Sequence, residues 1–209
     1  MWFTLSRENS HATSRPMSTN APPTSNKRGQ RRREELLAAA VDYLLSEGLD
    51  DFSLRQIAKR AGTSHRIVIY HFGTTAQLLR EALREIRPPF LEQAATASED
   101  PLAFAQRLVT DDSPATRVLL QGMLKAGIDP DQYGDIGNDY VDAYLPIIER
   151  NLPANLHDEL RQDLAVLLLC TFRGGLLDAR TTGDPQRAQR AIALLRQILK
   201  QRPTTPKTK

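Results

Sequence analysis

Residues 52–72, FSLRQIAKRAGTSHRIVIYHF, constrain the fold more than any other stretch of the chain. Ser53 suits the N-cap of a short helix, Gln56 is placed to reach back in a capping box, and Leu54, Ile57, Ala58 and Ala61 fall on one apolar stripe. Gly62, free to adopt the left-handed conformation, ends that helix, and Ser64 offers a second N-cap at once for a helix from His65 to His71. Two brief helices joined by a tight turn containing glycine make a helix-turn-helix.

At 100° per residue, taking Val68 as the inward side chain of the second helix brings Phe72 beside it, against Ile57 and Ala58. Arg66 and Tyr70 then share the outer side, with Ile67 and Ile69 flanking them. The second helix of such a pair enters the DNA major groove, where an arginine suits a guanine edge, a tyrosine a phosphate or base, and Ile67 a thymine methyl. His65 and His71, at the ends of the helix, and the turn residues Thr63 and Ser64 complete the candidate contact set.

Gly48, Phe52-Ser53-Leu54, Ile57-Ala58, Ala61-Gly62-Thr63-Ser64, Tyr70-His71-Phe72 and Leu78-Leu79 resemble, in order and spacing, the N-terminal signature of TetR-type transcriptional regulators, over roughly Arg31 to Ile86. That resemblance implies an all-α homodimer, with an N-terminal three-helix DNA-binding head and a larger C-terminal helical body for effector binding and dimerisation. It also implies a base contact from Arg55 and a phosphate contact from Ser53. Two positions depart from the pattern: Arg66 stands where many members have a small residue, altering base preference, and Thr75 stands where they have a lysine, leaving a weaker or hydroxyl-made phosphate contact.

Charge supports the assignment of the head. Residues 27–87 carry 12 Lys and Arg against 8 Asp and Glu, whereas the remainder from Pro88 on has 14 against 16, so the net +3 is concentrated where the helix pair lies. This is the electrostatic footprint of a nucleic-acid binder. The basic run Lys27 to Arg33 leads into a helix ending near Ser46, and positive charge at a helix N-terminus opposes the macrodipole. DNA phosphate is the natural counter-anion, so Arg31 joins the candidate set.

Residues 1–26 are rich in Ser, Thr, Pro and Asn and are expected to be a disordered tail, as is the tail at 202–209. Met17 is an alternative start, and Trp2-Phe3 begins no apolar run of signal-peptide length. No stretch approaches the roughly 18 apolar residues of a membrane span. With a single cysteine, Cys170, set in an apolar run, the reading is a cytoplasmic protein with a buried free thiol.

The head is placed at residues 27–73 and the body at 74–201. A connecting helix, Thr74 to about Ile86, carries Leu78, Leu79, Ala82, Leu83 and Ile86 at helical spacing and stops before Pro88. Further helices are predicted near Phe90–Ala97, Pro101–Val109, Pro114–Lys125, Tyr140–Asn151, Leu156–Thr181 and Pro185–Lys200, with the acidic segment Asp129 to Tyr144 largely a solvated loop. That segment lacks the D-x-D-x-D-G order of a calcium loop, and no metal or cofactor is expected. Phe104, Leu108, Leu120, Met123, Tyr144 and Phe172 are candidate walls of an effector cavity.

Leu164, Leu168, Gly175, Leu176, Ile192 and Leu195 of the last two helices are the candidate dimer seam, as half of an intermolecular four-helix bundle. No zinc spacing, nucleotide-binding glycine motif or paired nucleophile and base marks an enzyme. The expected function is a regulator, a repressor released from a palindromic double-stranded DNA operator by a small molecule. The alternative is a helical dimer that binds DNA or protein without an effector.

Overall fold

The structure is a computed structural model, describing residues 24–86 and 100–201. Among the described residues there are nine helices and no strand: α1 (Thr24–Glu47), α2 (Leu54–Arg60), α3 (His65–Phe72), α4 (Thr75–Ile86), α5 (Pro101–Leu108), α6 (Pro114–Ile128), α7 (Pro130–Arg150), α8 (Asp158–Thr182) and α9 (Pro185–Gln201). The helix expected at Phe90–Ala97 and the C-terminal tail lie outside the described residues, as do residues 1–23.

Local chemistry sets the boundaries. The Ser53 hydroxyl accepts from the Gln56 backbone N–H at 3.3 Å, as an N-cap does. At the other end of α2, Thr63 N–H donates to Ala58 O at 2.9 Å and Gly62 N–H to Lys59 O at 3.3 Å, with Gly62 at φ 57°, which is a Schellman closure. Helices α5, α6 and α7 begin with the same device, an Asp or Ser cap followed by proline: Asp100-Pro101, Ser113-Pro114 and Asp129-Pro130.

Three expectations are corrected here. First, α1 begins at Thr24, so Lys27 to Arg33 run from its first turn into its third and Arg31 to Arg33 lie beyond the reach of the macrodipole. Second, the acidic segment is helical from Pro130 on, because Asp129 caps it through the Gln132 N–H and its acids are held by arginines of α4. Third, Ser64 occupies the N-cap position of α3, but its side chain makes no capping hydrogen bond.

Two hydrophobic clusters hold the helices. One runs unbroken from the head into the body: Leu36, Ala40 and Leu44 of α1, Ile57 and Ala58 of α2, Val68 and Phe72 of α3, Leu78, Leu79 and Leu83 of α4, Val118 and Leu119 of α6, and Ile136 and Tyr140 of α7. The other joins α5 to α8 and α9 through Leu102, Ala105, Leu168, Phe172 and Ile192, with Ile148 of α7 packed in. Helix α4 is therefore buried on one side by the head and on the other by α6 and α7. Any shift of α6 or α7 is felt at α4.

Candidate nucleic-acid interface and effector cavity

Val68 and Phe72 are buried and seat α3 on the head core. The opposite face is open: Tyr70 is 84% exposed, Ile67 and Ile69 are about half that, and Arg66 is exposed. Arg66 and Tyr70 stand one turn apart on that outer side. Tyr70 is steadied edge-on by His71, with ring centroids 5.1 Å apart. Arg55 and Gln56 are exposed on α2, His65, His71, Thr63 and Thr75 are half-buried around the rim, and Ser64 keeps its hydroxyl free of the cap. Ser53 is half-buried and uses its oxygen on Gln56 N–H, which leaves its own proton to donate. Gln56 was absent from the candidates, although its place three residues after an N-cap on an exposed turn was readable.

The α1 arginines are not bare charges. Arg31 and Arg32 share Glu35 at 3.2 and 2.9 Å, while Arg33 pairs with Glu81 of α4 and lies 4.7 Å from the Phe72 ring centroid. Arg33 thus ties α1, α3 and α4 together. Arg31 is 82% exposed in its side chain, and so open a pair contributes little, so it can exchange Glu35 for a phosphate.

Behind the head, a cavity of about 40 Å3 lies among α5, α6, α7 and α8. Phe104, Leu108, Met123, Tyr144 and Phe172 line it, together with Thr116, Leu119, Tyr140, Leu169, Arg173 and Leu176. Leu120 does not line it: Thr116, Leu119 and Met123 share the inward face of α6, and Leu120 is turned about 100° from Leu119. The Thr116 hydroxyl donates to Asp111 Oδ2 at 2.6 Å. Burial alone would raise the Asp111 carboxyl, but hydrogen bonds from Thr116 and Ser113, with Arg180 nearby, bring it below its ordinary value.

The seam assignments are also corrected. Leu164, Leu168, Leu176 and Ile192 are buried within the single chain, Leu195 packs against the same cluster, and a Cβ on Gly175 would meet Val109 Cγ1 at 3.3 Å. Leu168 and Ile192 join α8 to α5 and α9, the buried Leu164 and Leu176 offer little surface to a second molecule, and Gly175 and Leu195 stay half-buried. What α8 and α9 expose instead is Val166, Leu167, Leu177, Leu194 and Ile198. Cys170, expected to be buried, is exposed among them, because Leu168, Leu169 and Phe172 turn inward on either side of it.

Residues 36–82 match the family profile described as bacterial regulatory proteins, tetR family. That matched N-terminal segment is the DNA-binding segment of a TetR-type regulator. It is 36% identical over 74 residues to the HTH-type transcriptional regulator BetI of Stenotrophomonas maltophilia, covering 34% of this chain and 38% of that one. The matched segments span less than half the length of the curated relatives. The similarity to a transcriptional regulator from Rhodococcus sp. Rha1 is longer, at 25% identity and a TM-score of 0.58 over 78% of this chain and 92% of that one. A regulator from Saccharomonospora viridis, solved in complex with choline, shares the fold at 20% identity, TM-score 0.57, over 78% of this chain and 94% of that one. The TetR-type profile ends at Ala82, one residue short of the Leu83 contact with the body. Among the described residues no helix is long and apolar enough to cross a membrane, and no group of three His, Cys, Asp or Glu is arranged for a metal.

Proposed function

We propose that this protein is a sequence-specific, homodimeric DNA-binding regulator, a repressor that leaves its operator when a small molecule enters the cavity between α5, α6, α7 and α8. One observation carries the reading: α3 holds Arg66 and Tyr70 outward, one turn apart, on a helix whose inner side is fixed by buried Val68 and Phe72. A rigid exposed helix with a bidentate donor and a phenol is built for base edges.

Dimerisation rests on the exposed apolar side chains of α8 and α9. Leu167, Cys170, Gly174 and Leu177 recur every three or four residues on one face of α8, and Leu194 and Ile198 do so on α9. Two copies pairing these faces bury them and present two recognition helices to a palindrome.

Release follows from how two walls of the cavity, α6 and α7, pack on α4. Tyr140 lines the cavity, and its hydroxyl donates to Leu119 O at 3.0 Å. On the far side of the same helix pair, a Cβ on Gly122 would lie 2.8 Å from Leu83 of α4 and 3.3 Å from the Tyr140 hydroxyl. At about 40 Å3 the cavity is far smaller than a drug-sized ligand needs, so an effector that enters spreads α6 and α7. That spreading moves α4 and changes the separation of the two heads. A preference of the effector for the spread shape equivalent to about 1–3 kcal/mol suffices.

The test is selection of duplexes from a random pool by the full chain. An enriched inverted repeat supports the regulator, and binding to all duplexes alike points to a helical dimer that uses its basic head without reading sequence.

A further inference from the structure

Among the polar groups of the cavity wall, Thr116 and Tyr140 donate their hydroxyl protons to Asp111 and to Leu119 O. Arg173 is different. It lines the cavity, its Nη2 is buried without a hydrogen-bond partner, and no ion pair joins it to a described residue. The other two α8 arginines are committed: Arg161 donates to the carbonyls of Glu149, Leu152 and Pro153, and Arg180 pairs with Asp112 and the Asp111 carbonyl. Arg173 is half-buried overall, but its Nη2 is a charged donor buried at an apolar cavity with no acceptor, and a bound anion removes that deficit.

We infer that the cavity takes a small apolar or aromatic carboxylate. Arg173 holds the carboxylate, and Phe104, Met123, Tyr144 and Phe172 enclose the hydrocarbon part. The inference deepens the effector reading above and rests on it. Four aromatic rings at one cavity also resemble a cage for a quaternary ammonium. The charge decides against that. A guanidinium in the wall repels a cation, and the nearby carboxylates that attract one are occupied: Asp111 by Thr116 and Ser113, and Asp139 by Arg80 and Arg84.

Calorimetric titration of the full chain with matched probes tests this. Phenylacetate is compared with phenethyl alcohol and phenethylammonium, and octanoate with octanol and octylammonium. At least one carboxylate should bind, with its alcohol weaker by roughly ten- to a hundredfold and its ammonium weaker still. Arg173→Gln should remove that advantage while leaving alcohol binding unchanged and the ligand-free melting temperature no lower, since an unpaired charged donor is lost, and Arg173→Lys should restore part of it. Tighter binding of the ammonium probes, carboxylate affinity unaltered by Arg173→Gln, or no carboxylate binding at all would overturn the inference. If Arg173→Gln fails to fold, Arg173→Lys against the parent chain decides by the same ratio of carboxylate to alcohol. Selected DNA bound by a chain that ignores every carboxylate sinks this inference alone. Arg173-dependent carboxylate binding by a chain with no sequence preference on DNA sinks the regulator reading alone.

Discussion

Arg80 of α4 grips Asp139 of α7 with two parallel hydrogen bonds, Nε to Oδ2 at 2.7 Å and Nη2 to Oδ1 at 2.9 Å. Arg84, one turn on, donates to the same carboxylate at 2.8 Å through both Nε and Nη2, and Arg80 reaches on to Asp135 at 2.7 Å. The helix that connects the head to the body is thus bolted to a helix that walls the cavity.

Asp139→Asn should loosen that bolt. The carboxyl is 11% exposed and is shared by two guanidiniums, so its loss is expected to cost about 1–3 kcal/mol and several degrees of melting temperature. Burial by itself would raise the Asp139 carboxyl, but the two arginines hold it well below its ordinary value of 3.8. A depressed carboxylate contributes stability above that ordinary value and loses it as pH falls further. Urea melts of parent and variant should therefore differ fully at neutral pH and converge below about pH 4.

Gly122→Ala should press on α4 directly, since the new methyl lies 2.8 Å from Leu83 Cδ1. Overpacking of this kind costs about 1–3 kcal/mol. Leu83→Ala in the same chain should recover part of the loss, and a double-mutant cycle should show non-additive coupling between the two sites. Strict additivity would mean that the helices do not meet as described.

Much of the head was legible from local signals. Ser53 as a cap, Gly62 as a left-handed stop and Val68 with Phe72 as the inward pair each follow from a few neighbouring residues. The errors arose where a decision depends on a distant partner. Asp135 and Asp139 read as loop acids because Arg80 and Arg84 are over 50 residues away in sequence. Helix α8 is apolar most of the way round, so periodicity alone did not say whether Leu168 or Leu167 faces inward. Arg173, a lone charge between Phe172 and the Gly174-Gly175 pair, was a visible signal for the cavity that went unused.

Leu194→Glu should separate the proposed dimer. Leu194 is 56% exposed in the single chain and sits on the apolar face of α9, so a charge there leaves the fold intact and opposes pairing. Sedimentation should show a shift to monomer with unchanged helicity, and operator affinity should fall by at least about tenfold as one half-site is lost. A variant that stays dimeric would place the seam elsewhere.

Arg31→Ala should act on every duplex alike. The lost phosphate contact is expected to reduce the slope of log affinity against log salt by about 1 on specific and random DNA. An unchanged slope would confine Arg31 to its pairing with Glu35.

The most direct measurement compares Arg66→Ala and Tyr70→Ala with the parent chain by fluorescence anisotropy, on the palindrome selected from the random pool and on a scrambled duplex. If α3 reads base edges, each substitution weakens binding to the palindrome by about 1–3 kcal/mol and leaves the scrambled duplex nearly unaffected. Equal losses on both duplexes, or none, would contradict the claim that Arg66 and Tyr70 read sequence.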